Sequence, residues 1–107
     1  MFTRVVELKC KDGKTTEVSR VASEKILPIL RKQQGFQDEI TLVSNTDPSR
    51  MMALSFWTRR EDAERYQREQ FPQIAGLLQP LCEGKPLIST FEVDLSTVHH
   101  IEFGRAA

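Results

Sequence analysis

Glu7, Glu39 and Glu92 each fall in a stretch that reads as β-strand, which fixes each of them to one face of a sheet. A carboxyl group enclosed in a dry cavity has a raised pKa and is suited to take a proton from a phenolic substrate. Burying a carboxylate without a counter-charge is costly, so these glutamates are expected to pair with Arg4, Arg20 or a cation of a partner chain. General-base chemistry is the alternative. Tyr66 offers a hydroxyl from the inner stripe of a helix, with core packing as its plainer use. His99 and His100 are neighbours in a strand-like tail and point to opposite sides, so they cannot easily share a metal; a surface or dimer-contact role is expected, with acid-base chemistry as the alternative. Cys10 and Cys82 are the only cysteines and form no Cys-x-x-Cys pair, which leaves two small buried or half-buried thiols rather than a metal or redox motif. Arg59 and Arg60 could draw an anion to a helix start, but Glu61 and Asp62 already complement the helix dipole and a solvated face is expected.

The elements that must position these groups follow from periodicity. Phe2 to Cys10 is rich in β-branched and apolar residues and closes on Asp12-Gly13, giving a strand and a tight turn. Val18, Val21, Ala22, Ile26, Ile29 and Leu30 draw one apolar stripe at helical spacing from about Thr16 to Gln33. Pro28 lacks an amide donor and clashes with the carbonyl of Glu24, so a kink is expected there, and Gly35 is placed to stop the helix. Phe36 to Ser44 and Met51 to Trp57 read as a hairpin around the turn cluster Asn45 to Ser49. Thr58-Arg59-Arg60-Glu61 has the form of a capping box. The second helix runs from Glu61 to Leu81 with Ala63, Tyr66, Ile74, Leu77, Leu78 and Leu81 as its buried stripe, and Pro72 kinks or splits it. Leu87 to Leu95 is the fourth strand.

Strand, helix, strand, strand, helix, strand is the βαββαβ order of the ferredoxin-like split βαβ, an α+β fold with an antiparallel four-stranded sheet and both helices on one face. Alternation sorts Val6, Leu8, Ile40, Leu42, Met52, Leu54, Phe56, Leu87, Phe91 and Val93 toward the helices. The other face, with Val5, Glu7, Glu39, Thr41, Val43, Met51, Ala53, Ser55, Trp57, Ile88, Thr90 and Glu92, is too apolar for water and too polar for a plain core. A second subunit could cover it and leave a lined cavity. The tail Val98 to Phe103 is strand-like without a place in this sheet and is expected to pair across the dimer as an extra C-terminal strand.

At 107 residues, with no repeat or linker, the chain reads as one domain over 1–107, its segment 96–107 a tail contacting the partner subunit. Lys+Arg and Asp+Glu each count 15, which gives no electrostatic case for nucleic acid or anionic lipid as a partner. The N-terminus lacks a signal-peptide core and no apolar run nears the roughly 20 residues of a membrane span, so a cytoplasmic location is expected.

Three segments carry a likeness beyond the fold pattern: Ile26 to Phe36 with its Gly-Phe, Phe56 to Tyr66 with its strand-ending Trp, Asp-Ala and Tyr, and Gly84 to Val93. Together they resemble the antibiotic-biosynthesis-monooxygenase family, over nearly the whole chain. The resemblance implies a homodimer closed as a dimeric α/β barrel, each subunit with a pocket between sheet and helices. It implies a cofactor-independent monooxygenase of quinol-like or polycyclic aromatic small molecules, with no bound cofactor or metal. A non-catalytic dimeric ligand-binding module and an isomerase or cyclase-like enzyme are the alternatives on the same fold. Trp57 matches a pocket-lining Trp of the oxygenase branch, and a structural plug at the strand-to-helix corner is its other reading. The substrate-binding set expected is Trp57, Ser55, Tyr66, Glu7 and Glu92. That branch carries an Asn four residues before the Trp, where this chain has Ala53, and the haem-degrading branch has a helical His that the stretch Glu61 to Leu81 lacks.

Overall fold

Alternating and β-branched residues extend β1 (Phe2–Cys10), β2 (Phe36–Val43) and β3 (Arg50–Trp57) in the computed structural model, which describes residues 1–102. With β4 (Cys82–Glu92) they form one antiparallel sheet in the order β2-β3-β1-β4. This is the ferredoxin-like arrangement expected from the element order, and the helices cover one face. β4 begins at Cys82 rather than Leu87 and ends at Glu92 rather than Leu95. Its early part is accommodated by a register shift opposite Glu7 and Lys9, near Gly84 with φ +67°.

Pro28 leaves its mark as a change of helical pitch. The first helical arm is α1 (Thr15–Val21), a π turn (Ala22–Ile26) and α2 (Leu27–Arg31). The amide of Leu27 bonds the carbonyl of Ala22, five residues back, so the widened turn makes room for the ring that follows. Pro72 splits the second arm into α3 (Arg60–Glu69) and α4 (Phe71–Leu78), with the proline in the first turn of α4, where a missing amide costs nothing.

The capping box does not form. Arg59 is the N-cap of α3 without a side-chain cap bond, because the Thr58 hydroxyl accepts from Gln37 Nε2 and the Thr58 amide donates to the Gly35 carbonyl at 2.8 Å. Thr58 thus ties the end of β3 to the turn before β2. Gly35 does not directly end the helix, which stops at Arg31; at φ +81° it approaches α3 so closely that a Cβ would lie 2.1 Å from Asp62 Oδ2.

The helices rest on the sheet face carrying Phe2, Arg4, Val6 and Leu8 of β1. Register places Met51, Ala53, Ser55 and Trp57 of β3, Glu39 and Thr41 of β2, and Ile88 and Thr90 of β4 on that same face. The core closes over it with Val18, Ile26, Leu30, Ala63, Tyr66, Phe71, Ile74 and Leu78. The expected sorting therefore holds on β1, where Val6 and Leu8 are buried, and is reversed on β2, β3 and β4. Ile40, Leu42, Leu87 and Phe91 lie on the outer face, between 47% and 66% exposed. The rule that the more apolar face meets the helices fails because the inner face is built around polar groups that line a cavity.

The tail is not an extra strand within the described residues. Ser96 and Ile101 exchange backbone hydrogen bonds at 2.9 Å to close a turn, and His99 lies over the chain's own outer face. Its ring centroid is 4.8 Å from that of Phe56, and its Nε2 is 2.6 Å from Asp38 Oδ2. Phe103 lies outside the described residues. Among the described residues no helix is long and apolar enough to cross a membrane.

Candidate functional site

One row of side chains crosses the sheet beneath the helices: Glu39 on β2, Ser55 on β3, Arg4 on β1 and Thr90 on β4, each opposite the next in register. Neighbouring strands lie roughly 4.8 Å apart, which sets Glu39 and Arg4 about 10 Å from each other at the backbone. Above this row is a cavity of about 50 Å³ lined by Arg4, Glu39, Thr41, Ser55 and Tyr66 among apolar walls that include Ala22, Ile26 and Leu30.

The electrostatics of the cavity follow from burial. Glu39 is pushed up from 4.5 to about 7, because enclosure penalises its charged form and the distant positive charge of Arg4 only partly offsets this. Arg4, 3% exposed, is lowered from its usual value by burial and held up by Tyr66 and Glu39. A guanidinium stays protonated at working pH all the same. It is held by stacking, with its central carbon 5.0 Å from the Tyr66 ring centroid and 4.9 Å from that of Phe71, and it donates to Gln67 Oε1. Burial, with Glu39 adding and Arg4 opposing, raises the Tyr66 phenol above its ordinary range, so it remains a neutral donor.

Ser55 and Tyr66, both expected from sequence, line the cavity. Trp57 does not: it is fully buried behind them, donating Nε1–H to Ser55 Oγ at 2.9 Å and packing 5.2 Å from Tyr66 and 5.6 Å edge-on to Phe36. Glu7 lies on the outer face, its Oε1 3.0 Å from Arg50 Nη2. Glu92 sits at the sheet end, 3.8 Å from the N-terminal amine and largely exposed. The structure does not bring Glu7 and Glu92 to the cavity. Arg59 and Arg60 pair with Glu61 and Glu64 on an exposed surface.

From sequence, Glu39 is a candidate base, Arg4 is only a pairing partner, and Thr41 has no role. The signal was the polar row itself, visible only once Arg4, Ser55 and Glu39 are aligned in register. A hollow of about 240 Å³ beside the π turn, lined by Ser19, Ser23 and Leu27, shares Ala22, Glu39 and Thr41 with the cavity. Glu39 therefore stands between the enclosed space and the surface. A base near neutrality, a fixed cation and hydroxyl donors against apolar walls can take a proton from a small aromatic and hold the resulting anion. Among the described residues no group of three or more His, Cys, Asp or Glu could hold a metal ion.

The family model for antibiotic biosynthesis monooxygenase matches residues 1–71. Comparison with curated proteins gives no match. Among solved structures, SnoaB from Streptomyces nogalater, a cofactor-independent oxygenase, superposes in its N63A form with a TM-score of 0.77 at 18% identity, covering 90% of this chain and 95% of that one. A conserved protein of Methanosarcina mazei Go1 superposes at 0.71 with 22% identity over 85% of this chain and 91% of its own. A putative antibiotic biosynthesis monooxygenase of Bordetella bronchiseptica reaches 0.73 at 14% identity over 88% of this chain and 97% of that one. At these identities the solved structures establish the shared fold.

Proposed function

We propose, from the premise that this chain belongs to the antibiotic biosynthesis monooxygenase family, that it oxygenates a small quinol-like or anthrone-like aromatic with O2 and no bound cofactor, using Glu39 as the base. The observation that carries this reading is the Glu39 carboxyl, poised at about 7 on the boundary between cavity and surface. A base is most effective when its pKa lies near the operating pH. Glu39 takes the acidic O–H or C–H proton of the substrate, and the electron-rich anion is held by the field of Arg4 and by hydrogen bonds from Tyr66 and Ser55. The anion gives electrons to O2. A carbon–oxygen bond forms at the activated carbon, the O–O bond then breaks, and one oxygen atom stays in the product as a carbonyl while the other leaves as water. Apolar walls keep bulk water from the carbanion.

A cavity of about 50 Å³ holds a few waters rather than a ring system. The substrate enters by displacing the π turn, whose Ala22 forms the wall common to the cavity and the neighbouring hollow; turns of this kind recur at functional sites for such local adjustability. A second copy of the chain covers the apolar outer face, making a homodimer.

O2 uptake with a panel of dihydroquinones and anthrone-like substrates tests the reading, comparing wild type, Glu39→Gln and a substrate-only blank. Uptake above the blank that Glu39→Gln removes is the expected result, and equal uptake by both proteins would overturn the role of Glu39. The same base serves proton transfer without O2, so isomerised product with no uptake would assign the cavity to an isomerase. Saturable binding with neither would assign it to a ligand-binding module.

A further inference from the structure

Cys10 and Cys82, far apart in sequence, stand directly opposite each other where β1 meets the start of β4. The hydrogen-bond pattern defines which kind of cross-strand pair they make. The Cys10 amide turns away to the Ser49 carbonyl at 2.7 Å, and the next amide, Lys11, reaches the Leu81 carbonyl at 2.8 Å. That is the signature of a non-hydrogen-bonded antiparallel pair, in which the Cα atoms approach to about 4.5 Å. Disulfides occupy Cα separations of about 4.4–6.8 Å, so the backbone already meets the requirement. Both side chains belong to the one core, Cys10 1% and Cys82 6% exposed. Cys82 also lines an open groove of about 790 Å³ with Lys11, Gly84 and Lys85.

We propose that Cys10 and Cys82 are a reversible dithiol–disulfide site that closes when hydrogen peroxide enters this groove. The Cys82 sulfur attacks one peroxide oxygen, the O–O bond breaks, and a sulfenic acid and water result. The Cys10 sulfur then attacks that sulfur, the S–O bond breaks, a second water leaves and the S–S bond forms. Both sulfurs are oxidised and the peroxide is reduced. Burial, together with the neighbouring Cys10, raises the Cys82 thiol to about 11, with Lys11 opposing. Closure is therefore slow at neutral pH and faster in alkali, as expected when only the thiolate is nucleophilic. The staple fixes the start of β4 beneath α4, the helix whose Ile74 and Leu78 wall the cavity.

The test is intact mass and peptide mapping of the full chain after exposure to excess hydrogen peroxide, at neutral and alkaline pH. Loss of two hydrogens, a peptide linking Cys10 to Cys82, faster closure at the higher pH, reversal by dithiothreitol and a thermal midpoint raised by about 10 °C are the expected results. Cys10→Ala and Cys82→Ala should each prevent the mass loss. Because the mapping is done on wild type, a variant that folds poorly does not decide the matter. Oxygen addition without hydrogen loss, covalent dimers alone, or unchanged thiols would overturn the proposal.

Discussion

Trp57 donates its indole N–H to the hydroxyl of Ser55 at 2.9 Å, two residues earlier on β3, and neither side chain meets solvent to any extent. The indole therefore acts on the cavity from behind, fixing the Ser55 oxygen while the Ser55 hydrogen remains available to a ligand. Trp57→Phe keeps an aromatic ring but leaves the buried Ser55 oxygen without this donor, and should cost about 1–2 kcal/mol in urea unfolding. Trp57→Ala should cost about 3–5 kcal/mol by opening a cavity in the core. If Trp57→Ala unfolds with wild-type stability, the plug role is wrong.

Glu39 makes stability depend on pH in a defined direction. Its folded pKa of about 7 lies above the ordinary 4.5, so the folded state binds the proton more tightly. The stabilisation from this group is complete below about 4.5 and is lost as pH rises through 7; the full loss is about 3 kcal/mol. Glu39→Gln should remove that slope, and denaturation of the two proteins at pH 5 and pH 8 measures it. Equal slopes would show that the carboxyl is not held neutral. The same titration should give oxygenase activity a rising limb near pH 7 in the wild type.

Most of the fold was legible because local chemistry and tertiary need agree. Asp12-Gly13 ends β1 where the apolar run ends, and Pro28 and Pro72 each mark a break in a helical arm. The faces of β2, β3 and β4 were not legible, since a pocket puts Glu39, Thr41 and Ser55 inward and leaves Ile40, Leu42, Leu87 and Phe91 outward. Hydrophobicity then points the wrong way. Arg4 was equally hidden: its cationic head is tolerated in the core by stacking on Tyr66 and Phe71, residues far along the chain. The capping box at Thr58 misled because its hydroxyl had a better-placed partner in Gln37, on another strand.

Gly35 is held to glycine by two independent constraints, its φ of +81° and the closeness of Asp62. Gly35→Ala should destabilise the protein by about 2–4 kcal/mol, part from backbone strain and part from forcing the buried Asp62 aside. In the double variant Gly35→Ala/Asp62→Ala the carboxyl clash is gone but the Cβ of residue 62 stays 2.8 Å from the new methyl, so only part of the steric cost should be recovered relative to Asp62→Ala alone. Urea denaturation of the four proteins closes the cycle. Purely additive effects would mean that the contact with Asp62 carries no energy.

The outer sheet face carries Ile40 and Leu42 on one edge strand and Leu87 and Phe91 on the other, so its apolar surface spans the full width of the sheet. Edge strands of this kind invite association unless something covers them. If a second copy does so, light scattering at micromolar concentration should give about twice the 12.3 kDa chain mass. Leu42→Glu and Phe91→Glu each place a charge in that interface, and the pair together should yield the monomer mass with the fold retained by circular dichroism. His99 rests on Phe56 at the same face and bonds Asp38. A second copy must therefore pack beside the tail, and His99→Ala should weaken dimerisation less than either glutamate. A wild type that scatters as a monomer would leave the outer face uncovered and overturn the dimer.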